Sequence, residues 1–530
     1  MASSQEGHSK GEIKKQSVAG SFLFRFPDGD EKKAQVALFR RSGDVRTYQH
    51  KLAPISGRVE KDDVSPLATA LREIKEETTL DLQSLELLRV GKPYSFLDES
   101  IGREWTINPF AFRLKGASEG GKGEAGIVLD WEHAGWEWHD PLTVNESEEF
   151  GGVPKIVNSL RRVWPEYDLG PKAGKALTSG LQKLRDDHES GARQLAAIAV
   201  STLKEVISGM DPASASEAWK NIRMAAWHLC KNGRESMGAA ITSALVTVLG
   251  PVEYILVNSD AFADNVQQIL EAIDKQASQR QASATRIRDN FANYLRETLH
   301  HKISSKSRIS ILTLSSSSTI SSSLLEAAAA LGVALDLRIL ESRPNCEGTS
   351  LAAKLLGSAA GDRITKVNIT LYTDSSAALA AEGVDVVLLG ADRISAGADV
   401  SNKTGSLPAV LSARHVAPGA KVVILSDTDK IAGPGSIEKH VVEDNDPLEV
   451  TAAWKATGVQ GQAVIESSLQ PAQPGPGDIK RVTVKNIYFE WVPARLIDAY
   501  ITEQGLWSSD DIARRSQWIG NETDRLFKNL

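Results

Sequence analysis

Beyond Arg308 the chain falls into one rhythm: short apolar runs, each followed by a loop and usually a helical stretch. The runs are ISILTL, VALDLRIL, KVNITLY, VDVVLLG and AKVVILS. That alternation is the signature of parallel βαβ units. In open sheets of this kind ligands bind outside the carboxyl ends of the strands, so the loops after the runs are where chemistry is expected. One of them lies in LTLSSSSTISSS, residues 312–323. ISILTL before it reads as a strand and STISSSLLEAAAALG after it as a helix, so the serines form a βα turn with no spare length for a linker. Hydroxyls and amides there, Ser315 and Ser317 among them, can cradle an anion at a helix N-terminus.

The rest of the 530 residues follows other patterns. From Ser17, strand-like runs alternate with turns: SVAGSFLFRF, AQVALFRR, LELLRVG and WTINPFAFRL, with a helix over Pro66–Thr78. KGASEGGKGEAG reads as a flexible loop, and LDWEHAGWEWHDP closes the region. GPKAGK near Gly170 has the glycine and proline of a boundary. Apolar residues at helical spacing then run from about Leu177 to Leu299. PAQPGPGD at 471–478 reads as a disordered loop. These shifts predict units at 15–165, 175–305 and 306–530.

Bulk properties exclude several classes. Hydrophobic content of 41%, charged content of 24% and a net charge of −7 suit a soluble globular protein. They argue against a broad nucleic-acid-binding surface, and no direct nucleic-acid partner is expected. Cys230 and Cys346, far apart, exclude a disulfide framework and a cysteine zinc cluster and fit a reducing compartment. MASSQEGHSKGEIKKQ lacks the apolar core of a secretory signal. No run is read as approaching the roughly 18 apolar residues of a membrane span. A cytoplasmic protein without a membrane partner is expected.

Two constellations carry chemistry. In GRVEKDDVSPLATALREIKEETTL, Glu73, Glu76 and Glu77 stand at i, i+3 and i+4, so three carboxylates share one helix face. Their repulsion would be relieved by a hard divalent cation, and magnesium accepts such oxygen ligands while keeping room for a diphosphate. Ser65-Pro66 reads as an N-cap followed by proline at the first helical position. The alternative is a solvated charged helix. Trp131, Trp136 and Trp138 suit core packing better than a base-stacking wall, and His133 suits a satisfied partner better than a catalyst. In the second constellation, GADRISAGADVSNKTGS, Asn402 and Lys403 precede a helix start expected at Thr404, so a lysine charge and free helix amides would meet. Arg343 in ESRPNCEG and Lys430 in SDTDK add cations at neighbouring strand ends.

The first constellation resembles the Nudix box, Gly-x5-Glu-x7-Arg-Glu-apolar-x-Glu-Glu-x-Gly-apolar. The resemblance implies a box helix packed on a mixed sheet, hydrolysis of a nucleoside diphosphate linked to another moiety, and Mg2+ or Mn2+. It casts Glu73, Glu76 and Glu77 as metal ligands or general bases and Arg72 as the residue that orients the carboxylates. There are departures. Counted from Arg72, the first acid of the box falls on Val64, and Gly57 lies one residue early; a one-residue insertion would place Asp63 near the missing acid. Thr79 stands where the later glycine is expected.

Residues 177–530 resemble the family that holds methylthioribose-1-phosphate isomerase, ribose-1,5-bisphosphate isomerase and the regulatory alpha, beta and delta subunits of initiation factor two B. The matching stretches include NGRESMGAAI, ILTLSSSS, LESRPNCEG, LLGADRISAGADVSNKTGS, EDNDPLEV and FEWVPARLIDAYITEQG. The resemblance implies a helical subdomain on a Rossmann-like subdomain, a homodimer through this module and a sugar-phosphate pocket. Asp392 matches the catalytic acid; Asn402, Lys403, Arg234, Lys430 and Arg193 match substrate or phosphate contacts. The isomerases carry a cysteine where this chain has Ser315, and an unassisted hydroxyl cannot exchange protons with a sugar carbon as a thiol does. Cys346 in the adjacent loop is the only local substitute considered.

The expected fold class is therefore α/β: an N-terminal Nudix mixed α/β/α sandwich, then a helical subdomain and a Rossmann-like parallel-sheet subdomain. The leading functional expectation is a Nudix hydrolase of an ADP-sugar-like compound fused to a sugar-phosphate-binding, isomerase-like module. Two alternatives stand beside it: a sugar-phosphate isomerase with a sensory Nudix module, and a non-catalytic regulatory protein.

Overall fold

The computed structural model describes residues 14–29, 33–188, 190–259, 261–305, 308–314, 316–359, 367–435, 437, 440, 442–469 and 482–530. The leading segment, Ser315 and the 471–478 loop lie outside the described residues. The fold is α/β, with an eight-stranded and a seven-stranded sheet separated by a layer of helices.

The first sheet is built from β1 (Lys14–Arg25), β2 (Gln35–Arg41), β3 (Leu52–Ala53), β4 (Ile55–Arg58), β5 (Leu85–Val90), β6 (Tyr94–Asp98), β7 (Arg103–Leu114) and β8 (His133–His139). Its central pair, β1 and β7, runs parallel from Lys14↔Arg103 to Phe24↔Arg113. Successive side chains of a strand face opposite sides, and β1 uses both. Leu23 joins Ala70 and Ile74 of helix α1 (Pro66–Thr78), while Phe22 and Phe24 join Ile156 and Leu160 of α2 (Ile156–Arg161). The result is a sheet sandwiched between helices. The glycine-rich segment expected to be a flexible loop is instead folded: two short 3-10 turns occupy it, and Glu119 within it binds Arg113 at 2.7 Å.

Near Gly170, where a boundary is expected, the chain kinks within a helix. Helix α3 (Glu166–Asp186) turns at Gly170, whose φ of 71° glycine adopts without strain, and resumes at Pro171. Then come α4 (Ala192–Gly209), α5 (Ala215–Asn232), α6 (Gly238–Val257) and α7 (Val266–Gln281), packed into one apolar core. Helix α6 corrects the membrane reading. It is long and apolar enough to cross a bilayer, with mean hydropathy 1.8, yet 61% of that window is buried in the protein. It is the central helix of the helical core, apolar on nearly every side because it is surrounded.

After α8 (Ser283–Thr298) the second sheet takes β9 (Ile309–Thr313), β10 (Leu335–Leu340), β11 (Val367–Tyr372) and β12 (Val386–Leu389). A small sheet of β13 (Arg393–Ile394), β14 (Val400–Lys403) and the later β16 (Phe489–Val492) rises beside it. The main sheet ends with β15 (Lys421–Leu425), β17 (Ala499–Thr502) and β18 (Gly505–Trp507). The main order is β11-β10-β9-β12-β15-β17-β18, parallel except for β18. Chain order reverses between β9 and β12, the point at which two strand-end loops diverge and leave a crevice. Helices cover both faces, one core gathering Ile287 and Ile320 and the other Val410 and Ile519.

Candidate functional sites

Helix α1 forms where capping chemistry starts it. The Ser65 hydroxyl accepts from the Ala68 N–H at 3.2 Å, and Pro66 occupies the first turn. It stops at Thr79, which takes a left-handed conformation at φ 60°, in the place where the Nudix pattern has glycine. The departure in the loop before it resolves in favour of Asp63. Val64 is 94% exposed, whereas Asp63 accepts from Arg72 Nη2 at 3.1 Å, Thr69 Oγ1 at 2.8 Å and the Glu60 N–H at 3.0 Å. The Arg72 guanidinium and these donors hold the Asp63 carboxyl well below the usual carboxylate range.

Arg72 also binds Glu73 at 2.7 Å and Glu76 at 3.2 Å, so it orients three carboxylates. Gly57 is required by this packing, because a Cβ there would sit 1.8 Å from the Glu73 carboxyl carbon. Glu77 is buried and bonded to His133 Nε2 at 2.5 Å. Burial pushes the Glu77 carboxyl up to about 9, and repulsion from Glu132, Glu73 and Asp130 adds to it. Burial pushes His133 down, so burial opposes the charged form of both partners. His133 is thus a partner, as expected, and what it partners is a carboxylate of the acidic helix itself.

The three glutamates do not converge. Among the described residues no three acidic, histidine or cysteine side chains are gathered in a metal-holding group. Glu73 faces Arg72, Glu77 faces His133, and the Glu76 side chain is 59% exposed. The donor set nevertheless fits a hard cation: carboxylate oxygens only, with Glu73 and Glu77 pushed up first by burial and then by neighbouring negative charge, Glu132 included, which a divalent charge would relieve.

Beside this face lies a cavity of about 220 Å3, with Gly57 in its wall. Tyr48, Tyr94, Phe96 and Trp105 supply aromatic surface; Arg41 and Arg103 supply charge. Arg103 stacks over Trp105 at 5.0 Å. None of these was singled out from sequence, since they come from four separate strands and loops. The tryptophans that were singled out divide. Trp136 and Trp138 pack on the sheet core, 5.4 Å apart and edge to face. Trp131 is 63% exposed, which corrects its assignment to the core: it precedes β8 instead of pointing inward from it.

The second site sits at the reversal between β9 and β12. Ser317 caps helix Ser318–Leu331, its hydroxyl accepting from the Ile320 N–H at 3.4 Å. A Cβ on Gly390 would lie 3.6 Å from Asn402 Oδ1 and 4.0 Å from Ser317, so these loops meet there. Asp392 follows. Burial pushes its carboxyl up while Lys430 and Lys403 pull it down, with Arg234 contributing. Lys430 donates to the Ala391 carbonyl. Asp392, Asn402, Lys403, Lys430, Arg234 and Ser317 are therefore brought together.

The other expected contacts stand apart from this group. Arg193 is taken up by Asp427, at 2.6 Å, in a pair that Ser283 completes from α8. Arg343 is exposed, and its backbone N–H rather than its side chain is anchored, to Asp374. The helix after Lys403 begins at Ser406, not Thr404, and its amides are not free: Glu490 Oε1 accepts from the Gly405 N–H at 2.6 Å and the Leu407 N–H at 3.0 Å. Cys346 Sγ contacts the Pro344 carbonyl at 3.7 Å. Sequence reading missed Glu347, which binds Lys403 at 2.9 Å and sits 3.5 Å from the Ser316 N–H. It also missed Glu443, the 2.5 Å partner of Arg234. Both lie in stretches quoted above for the resemblance, but their cation partners stand far along the chain, which spacing does not reveal.

Comparison with known proteins places these sites in families. A model of the NUDIX domain matches residues 19–158, and one of the Initiation factor 2 subunit family matches residues 188–509. Methylthioribose-1-phosphate isomerase of Rhodopirellula baltica is 33% identical over 194 residues, 36% of this chain and 47% of that protein. Ribose 1,5-bisphosphate isomerase of Haloferax volcanii is 31% identical over 199 residues, 37% and 52% of the two chains. The chain spans about half the length of the curated relatives it matches. The tetrameric eIF2B-beta2-delta2 complex from C. thermophilum aligns with a TM-score of 0.46 at 14% identity, covering 66% of this chain and 96% of that one. With the family match spanning most of its length, the chain belongs to the initiation factor 2 subunit family and carries a NUDIX domain ahead of that region.

Proposed function

We propose that the N-terminal domain hydrolyses a nucleoside diphosphate linked to another moiety, and that the second module binds a sugar phosphate. The observation that carries the first part is adjacency: Gly57 both walls the aromatic, arginine-bearing cavity and supports the Glu73 carboxylate. A base and a diphosphate need those two surfaces side by side. Glu73, Glu76 and Glu77 would hold a divalent cation, which when bound supplies charge neutralisation for the diphosphate. The chain's own residues do the rest. Arg72 orients the carboxylates, Arg41 and Arg103 attract the anionic substrate, and His133 keeps Glu77 in place until its proton is lost.

Phosphorus NMR of the full-length protein with magnesium and ADP-ribose tests this reading. Loss of the diphosphate signal is expected with the native chain and not with Glu76→Gln; an unchanged signal with both removes the ADP-sugar class.

For the second module, the support is the set of cations facing Asp392. A product of ADP-ribose cleavage, a pentose phosphate, belongs to the ligand class of that pocket, which would couple the two modules as enzyme and acceptor or regulator. Calorimetric titration of the full-length protein with ribose 5-phosphate is expected to give heat that Lys403→Ala abolishes. Absence of binding by the native protein would end the coupling.

A further inference from the structure

The region between the two modules holds a cavity of about 600 Å3 that belongs to neither candidate site. Three separate parts of the chain wall it. Lys92 comes from the loop between β5 and β6, Trp227 and Lys231 from the end of α5, and Phe527 from the end of helix Ser509–Phe527, with Lys528 directly after it. Lys92, Lys231 and Lys528 have no ion-pair or side-chain hydrogen-bond partner among the described residues. Asp524 is the only carboxylate in the lining.

Lys92 is the anomalous member. It is half-buried, and Arg162 stands behind it, donating to the Lys92 carbonyl at 3.2 Å and to the Leu530 carbonyl at 2.9 Å. Arg162 is itself half-buried with no carboxylate paired to it among the described residues; burial pushes both cations down, opposed only in part by Asp524 at Lys92 and by Tyr94 and Asp168 at Arg162. Partly desolvated cations without counter-charge are costly to keep unless something anionic joins them. The indole in the lining is different in kind and stands one helical turn before Lys231. Trp227 is partly open to the cavity, backed by the helical core and held edge-on by His228 at 5.2 Å. Three cations and an indole lining one cavity suit a ligand that carries both a phosphate and a flat ring.

We infer that this cavity is a nucleotide-binding site, distinct from the cavity beside Gly57 and from the Asp392 pocket. The phosphates lie among Lys92, Lys231 and Lys528, and the base lies against Trp227. Because Lys92 belongs to the first sheet's domain and the other two lysines to the second module, a bound nucleotide bridges them.

Residue-resolved lysine acetylation of the intact full-length protein, read by mass spectrometry of its peptides, tests the site. The probes are ADP and inorganic pyrophosphate, each with chelator present so that no hydrolysis occurs. Labelling of Lys403 and Lys430 in the same samples reports the Asp392 pocket separately. The expected result is a several-fold fall in labelling of Lys92, Lys231 and Lys528 together with ADP, smaller with pyrophosphate, and a loss of that difference in Trp227→Leu. Unchanged labelling of the three lysines, whatever happens at Lys403 and Lys430, overturns the site. Equal protection of the native protein by pyrophosphate and ADP overturns the assignment to nucleotides.

Discussion

At the scale of single residues, two positions of the acidic helix separate folding from chemistry. Gly57 has no room for a side chain, yet the atoms a methyl would strike are the far end of the flexible Glu73 side chain. Gly57→Ala is therefore expected to change stability by less than about 1 kcal/mol, while pushing Glu73 off its position. Hydrolysis of ADP-ribose should fall by roughly a hundredfold, as misplacement of a catalytic group commonly does; calorimetry and phosphorus NMR on the same sample separate the two effects. Thr79 is the converse case. A β-branched residue at φ 60° is strained, so Thr79→Gly is expected to raise stability by about 1 kcal/mol. The melting midpoint in denaturant checks it, and a fall would mean that the 3.2 Å bond from Thr79 Oγ1 to the Gly126 carbonyl outweighs the strain. Both residues were visible as departures from a spacing. What spacing could not show was that Asp63 would be gripped by Arg72, since that depends on how the loop from Arg58 folds back.

At the scale of elements, the strands and helices of the second sheet were legible because each is a short apolar run with a helix behind it. The serine turn was legible because strand and helix enclose it. The state of the helix amides after Lys403 was not, because Glu490 reaches them from β16, far along the chain. That carboxylate sits where an anionic ligand would otherwise bind, and burial pushes its pKa up. Glu490→Gln keeps one acceptor but removes the charge that suits a helix N-terminus. Because the raised pKa means that burying the charge costs more than the cap returns, the expected effect is a gain in stability of up to about 1 kcal/mol, read as a higher denaturant midpoint. A loss would show that the charged cap outweighs its burial.

At the scale of the whole molecule, the N-terminal domain is joined to the helical layer by bonds that imitate a sheet. The Asn232 side chain accepts from the Val90 N–H at 2.7 Å and donates to the Val90 carbonyl at 3.0 Å, covering an edge of β5. Arg185 donates to the Leu88 carbonyl at 2.8 Å, and Arg89 binds Glu166 at 3.0 Å. Asn232 is held in turn by Nδ1 of His228 at 3.0 Å. His228 is fully buried; burial pushes its pKa down to about 3, and Arg89 and Arg162, facing it from the N-terminal domain, add repulsion. The unfolded chain takes up this proton near pH 6.5, whereas the folded one resists it until about pH 3. The unfolded state therefore binds more protons between those values, and stability falls as pH drops below about 6.5. At pH 5 the loss from this residue alone is about 2 kcal/mol. Calorimetric melting at pH 7.5 and 5 should show a steeper decline in the native protein than in His228→Gln, which cannot titrate. Parallel declines would mean that His228 is already protonated in the folded protein at pH 5, and that the junction between the modules admits the charge despite its burial.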